Sequence, residues 1–130
     1  ILAFCLCGIL LTYINLFLLT DLARDMTKAT SALQAKMEEI KNTDFDSIPG
    51  LNGLTFELDG FNSSDAEGVI EVANTAYTDL LMVRLVASFR SRNRIIGEDQ
   101  NLNGVLNEGE DSNANGRLNS VSELATLIAR

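Results

Sequence analysis

The chain has 130 residues, 46% of them hydrophobic and 22% charged, a length and composition that fit one compact unit. Eighteen carboxylates against ten Lys and Arg leave a net charge of −8, which excludes a general nucleic-acid binder, because displacing counterions from phosphates needs an excess of basic residues. Histidine is absent, which removes the usual base near neutral pH and any His-ligated zinc; with no nucleophile elbow, phosphate loop or paired base either, an enzyme is not expected.

Ile1 to Thr20 contains no charged residue. As a helix rising ~1.5 Å per residue it spans ~30 Å, the hydrocarbon thickness of a bilayer. It lacks the basic n-region, short apolar core and small-residue cleavage site of a secretory signal peptide, so a membrane-crossing segment is expected. Cys5 and Cys7 fall on different faces of such a helix and cannot pair with each other, which leaves them as small apolar packing residues. Asn15 is a polar amide in an apolar run, a group that commonly hydrogen-bonds to another helix.

From Asp21 to Asn42 there is no Gly or Pro, and Leu22, Met26, Ala29, Leu33, Met37 and Ile40 recur at helical steps. This stripe is expected to pack on the chain's own head. The two halves then form one helix from Ile1 to about Asn42, ~60 Å long, whose first half protrudes. Asn42 to Gly53 supplies the break, with polar turn formers, the single proline and two glycines.

Beyond the break the period becomes two. Leu54, Phe56 and Leu58 alternate with polar residues, Val69 to Ala73 is a short β-branched run, and Asp79 to Ser91 is the longest strand candidate, with Leu81, Val83, Leu85, Ala87 and Phe89 on one face. Val121 to Ala129 offers a last strand, although Leu124, Leu127 and Ile128 would also suit a short helix. The expected architecture is α+β: a long N-terminal α-helix, its apolar first half protruding, packed against a small antiparallel β-sheet head. Residues 1–20 are the apolar half, 21–42 the amphipathic half and 43–130 the head.

Eight carboxylates and no basic residue lie between Asn42 and Val83, followed by Arg84, Arg90, Arg92 and Arg94. If strand geometry continues, Arg90, Arg92 and Arg94 share a face, available for solvation or for pairing with the acidic face of a neighbouring subunit.

From Asp99 the chain reads DQNLNGVLNEGE and then DSNANGRLNSVS, two twelve-residue units with the frame D-x-N-x-N-G-x-L-N. An oxygen-only cation site needs acceptors at alternate positions and a glycine at position six for the sharp bend. In the first unit Asp99, Asn101 and Asn103 fill positions one, three and five, Val105 offers its carbonyl, Leu106 anchors the loop, Asn107 acts directly or through water, and Glu110 stands at position twelve. The second unit supplies Asp111, Asn113, Asn115, the Arg117 carbonyl, Leu118 as anchor and Asn119. Its twelfth residue is Ser122, so the nearest carboxylate is Glu123. The units abut without room for EF-hand helices, so a wound double loop at 99–123 holding one or two Ca2+ is expected. With many neutral Asn donors, affinity should lie in the ~10⁻⁴–10⁻³ M regime of extracellular modules. In a head without disulfides such a metal staple would be structural.

An uncharged N-terminal helix with a central glycine, passing into an amphipathic helix that ends KMEEIKNTDFDSI, resembles bacterial type IV pilins and pseudopilins, particularly the PilV-like minor pilins. The tail GEDQNLNGVLNEGEDSNANGRLNSVSELATLIAR is similar to the Asn/Asp-rich ending of some members. The resemblance implies a prepilin cleaved by a dedicated peptidase, methylated at its N-terminus and held in the inner membrane until assembly machinery extracts it. Its partners are then identical subunits in a helical filament at the cell surface. Gly8 matches the family's mid-helix glycine. The acidic residue and the Phe that members carry near the mature N-terminus fall before Ile1 in that alignment, and the first helix lacks the proline many pilins use. A minor pseudopilin of a type II secretion system and a single-pass membrane-anchored calcium-binding module are the alternative readings.

Overall fold

The computed structural model describes all 130 residues. One helix, α1 (Leu2–Lys41), is followed by a 3-10 helix (Phe45–Leu51) and five strands: β1 (Thr55–Phe56), β2 (Ala66–Asn74), β3 (Leu80–Ser91), β4 (Arg94–Ile96) and β5 (Ser122–Ala129). With no proline and Gly8 as its single glycine, α1 runs 40 residues without a break, ~60 Å end to end. Every residue of its first half is exposed: Ile1, Phe4, Leu10 and Leu19 are 104, 87, 61 and 63% exposed. The second half buries Ala29, Ala32, Leu33, Met37 and Ile40, with Leu22 and Met26 packed at the margin. The stripe therefore lies on the head as its spacing predicts.

The sheet is antiparallel throughout, in the order β1-β2-β3-β4, and β5 also pairs with β3. Strands β4 and β5 share one edge of β3: Phe89 faces Ile96 near one end, while Leu80 to Ala87 face Ala129 back to Ser122. The whole segment from residue 97 to 121 thus leaves that edge and returns to it. Alternation sorts the faces of β3 as expected, with Leu81, Val83, Leu85, Ala87 and Phe89 joining the helix stripe in one core. The opposite face carries Arg84, Val86 and Ser88, also buried.

Several expectations need correction. The alternation at Leu54, Phe56 and Leu58 yields only a two-residue strand, and Leu54 is half exposed, because the chain turns away at Gly60 to reach β2. The segment Asn42 to Gly53, expected only to break the helix, winds into a 3-10 turn that buries Ile48 completely. The last strand offered by Val121 to Ala129, by contrast, does form, as β5 over Ser122–Ala129.

The arginine block does not form one face. Arg92 adopts φ 55° and turns the chain into β4, so Arg94 stands opposite Ser91 on the neighbouring strand. Arg90 and Arg92 find carboxylates within the same chain: Arg90 meets Asp65 at 3.4 Å, and Arg92 donates through Nε to Asp21 at 2.7 Å. Asp25 lies on the helix side that this β3–β4 hairpin covers and is buried, with Ser91 Oγ donating to its Oδ2 at 2.9 Å.

Candidate metal centre

The twenty-five residues between β4 and β5 contain almost no regular structure, yet their two halves repeat each other closely. Position four of each unit is left-handed, Leu102 at φ 56° and Ala114 at φ 57°, and position six is left-handed glycine, Gly104 at 74° and Gly116 at 72°. A side chain at Gly104 would also collide with Thr55, so this glycine lets the first loop lie against the sheet.

The side chains repeat too. Asp99 accepts from the N–H of Asn103 at 3.1 Å and of Gly104 at 2.7 Å; Asp111 accepts from Asn115 at 3.0 Å and Gly116 at 2.7 Å. Asn101 caps Asn103 and Asn113 caps Asn115, both at 3.1 Å, while Asn103 accepts from Val105 at 2.8 Å and Asn115 from Arg117 at 2.9 Å. These Asx turns draw the first, third and fifth side chains of each unit to one side of the loop.

Each unit is closed by one glutamate. Glu110 accepts from the N–H of Gln100 at 2.9 Å and of Asn107 at 2.8 Å, and from the Asn107 amide at 3.0 Å. The equivalent group in the second unit is Glu98. It accepts from the N–H of Ser112 at 3.2 Å and of Asn119 at 3.0 Å, from the Asn119 amide at 3.0 Å, and from the Ser112 hydroxyl. Glu123, the carboxylate expected there, instead accepts from Ser120 N–H at 2.8 Å and lies 3.2 Å from Arg84. The reason is geometric: after Asn119 the chain enters β5 at Ser122 and does not fold back on the loop. Glu98 is held in place by its own N–H, which donates to Asn119 O at 2.8 Å. The signal was present in the sequence, since Glu-Asp opens both units and the repeat is E-D-x-N-x-N-G-x-L-N from Glu98 and from Glu110.

In the first loop the Asn107 amide nitrogen lies 2.8 Å from Val105 O, 3.0 Å from Glu110 Oε2 and 3.2 Å from Asn103 Oδ1. Three oxygens thus converge on a single donor. A cation in its place would meet those oxygens, with Asn107 turned to present Oδ1. In the second loop the Asn119 amide lies 3.0 Å from both Arg117 O and Glu98 Oε2. Each loop carries two carboxylates, Asp99 with Glu110 and Asp111 with Glu98, enough to balance one divalent cation. No three carboxylates converge on a point, so the remaining donors are amide and main-chain oxygens, a hard-cation set.

No family model, curated protein or solved structure matches the chain.

The loops are fixed to the head unequally. Leu118 is buried, whereas Leu106 is half-buried and lies outside the main core. Arg84 supplies the polar fixing. From the outer face of β3 it reaches Glu71 at 2.7 Å, Glu123 at 3.2 Å and Leu118 O at 2.9 Å.

Donors from Ser112 and Asn119 hold the Glu98 carboxyl below its ordinary value of about 4.5. For Glu110, burial works to raise the value, but the donors of Asn107, Asn101 and Gln100 together outweigh it and the net shift is downward. Groups with lowered native pKa stabilise the fold above the unfolded value and lose that contribution as pH falls through the native value. The thermal midpoint of the metal-free head is therefore expected to hold from about pH 7 to about pH 5 and to fall below about pH 4, and Glu98→Gln should flatten the fall.

Proposed function

We infer that this chain is a structural subunit of a type IV pilus-like filament, assembled through its apolar half-helix and carrying a calcium-stapled head. The observation that carries this reading is the single unbroken helix, half wholly exposed and apolar, half forming the spine of the head. The apolar half has a mean hydropathy of 2.3 over its best window and is long enough to cross a membrane. Such a surface is stable only in lipid or among similar helices. Ala3, Cys5, Cys7 and Gly8 keep part of it small enough for helices to approach closely. The hydroxyls of Thr12 and Thr20 are satisfied within the helix by the carbonyls of Gly8 and Leu16 at 2.9 and 2.8 Å. One surface therefore suits both the bilayer and a bundle of identical helices.

Electron microscopy of the native assembly tests the reading. Filaments built of this chain support it; a chain that stays in the membrane as a monomer favours the anchored calcium-binding module, and a short filament in which it is scarce favours the minor pseudopilin.

The calcium assignment is tested by titrating the full chain in detergent. Two ions are expected, each adding about 1.4 kcal/mol at calcium tenfold above its Kd, or about 5–10 °C in the midpoint of a head this small. A chelator should reverse the gain. Glu98→Gln is expected to weaken one of the two sites by at least about tenfold, while Glu123→Gln leaves both unchanged. A midpoint indifferent to calcium would overturn the staple.

A further inference from the structure

We propose that the β3–β4 hairpin, together with the end of the apolar half-helix, is a seat for the headgroup of an anionic phospholipid. Nine of the ten Lys and Arg side chains have a carboxylate within 4.0 Å, and Arg94 alone has none. In a chain with eighteen carboxylates, an unpaired arginine is the exception that calls for an outside anion. Its position names the class of anion. Arg94 lines a groove of about 560 Å³ with Arg92 and Asn93 on the hairpin side and Leu18, Leu19 and Leu22 on the helix side. Those leucines belong to the last turns before and around Asp21, the first charged residue after the apolar run.

The local charge is opposite to that of the molecule. Arg92 and Arg94 are the charged residues lining the groove, and no carboxylate lines it, whereas the whole chain carries −8. Asp21 is already shared between Arg92 and Arg24, and Asp25 accepts from Ser91. Neither is free to neutralise Arg94. A phosphodiester fits the remaining space chemically: an arginine fork binds two of its oxygens, and an acyl chain continues along the leucine wall into the hydrocarbon. Phosphatidylglycerol carries that charge uncompensated, whereas the choline of phosphatidylcholine cancels it.

The proposal rests on the reading of Ile1 to Thr20 as a bilayer segment, and the test separates the two. The full chain is reconstituted in phosphatidylcholine vesicles containing trace spin-labelled phosphatidylglycerol or spin-labelled phosphatidylcholine, and the motionally restricted fraction of each is compared. The expected preference for phosphatidylglycerol is about fivefold, the effect of one basic side chain at a membrane surface. Arg94→Gln should remove it and Arg94→Lys should keep most of it, while Arg117→Gln, on the distant double loop, should leave it intact. Restricted lipid without headgroup preference, or a preference unchanged in Arg94→Gln, overturns the seat alone. No restricted lipid of either kind overturns the bilayer reading and the seat with it. A chain that shows no preference but dimerises through Arg94 would assign the hairpin to a second copy, which also overturns the proposal.

Discussion

A Leu10→Arg chain is expected to fold its head normally and to form no filaments. Leu10 lies in the middle of the apolar half, 61% exposed and remote from every element of the head. A charge at the centre of a spanning helix costs about 2.5–3.5 kcal/mol on insertion, and a filament core built from identical helices would repeat that burial in every subunit. Charge repulsion adds to the cost at each contact. The calcium response and thermal midpoint of the head should be unchanged, because the core cluster begins only at Leu22. Electron microscopy with circular dichroism of the same preparation checks both halves of the expectation. Leu10→Val, which keeps the segment apolar, is the control that should still assemble. Filaments of normal yield from the arginine variant would remove the assembly role from this helix.

The largest loss of head stability from a single polar residue is expected at Arg84. Its side chain is 9% exposed, and it joins Glu71 on β2, Glu123 on β5 and the Leu118 carbonyl of the second loop. Arg84→Met keeps the stem and removes the guanidinium, leaving two carboxylates close together and one carbonyl without its donor. Breaking a buried pair costs about 3–5 kcal/mol. Glu71 and Glu123 retain 29 and 30% exposure, so water recovers part of that, and about 3 kcal/mol is expected. Denaturant unfolding of the variant measures it. Replacing both acids with Gln in the Arg84→Met background should restore part of the loss by removing the repulsion. Calcium affinity of the second loop should fall as well, since Arg84 fixes the backbone beside Asn119.

The apolar half of the design was legible from the sequence, because each part is a simple period: Leu22 to Ile40 at steps of three and four, Leu81 to Phe89 at steps of two. The buried polar residues were not. Asp25 is covered by Ser91, sixty-six positions away, and Arg84 is satisfied by a carbonyl thirty-four positions away. Neither burial leaves a trace in the local pattern. The turns closed by Asp99, Asn101 and Asn103 follow from local spacing, since Asx turns are short-range. The second closing glutamate escaped because a loop template looks forward to position twelve, whereas Glu98 arrives from behind, carried there by the pairing of the two ends of the segment. The hairpin at Arg92 was hidden by a continuous run that reads as one strand; only the left-handed turn at a non-glycine residue divides it.

That pairing of ends has a kinetic side. β5 cannot join β3 until the chain between Ile96 and Ser122 has closed on itself, a non-local step of the kind that slows folding. A cation bound in each loop, as proposed, would hold Glu98 beside Asn119 and so perform the closure in advance, one short loop at a time. The last strand would then dock at a rate set by the calcium around it: slowly where the ion is scarce, during synthesis, and quickly once the head has crossed to a calcium-rich side of the membrane.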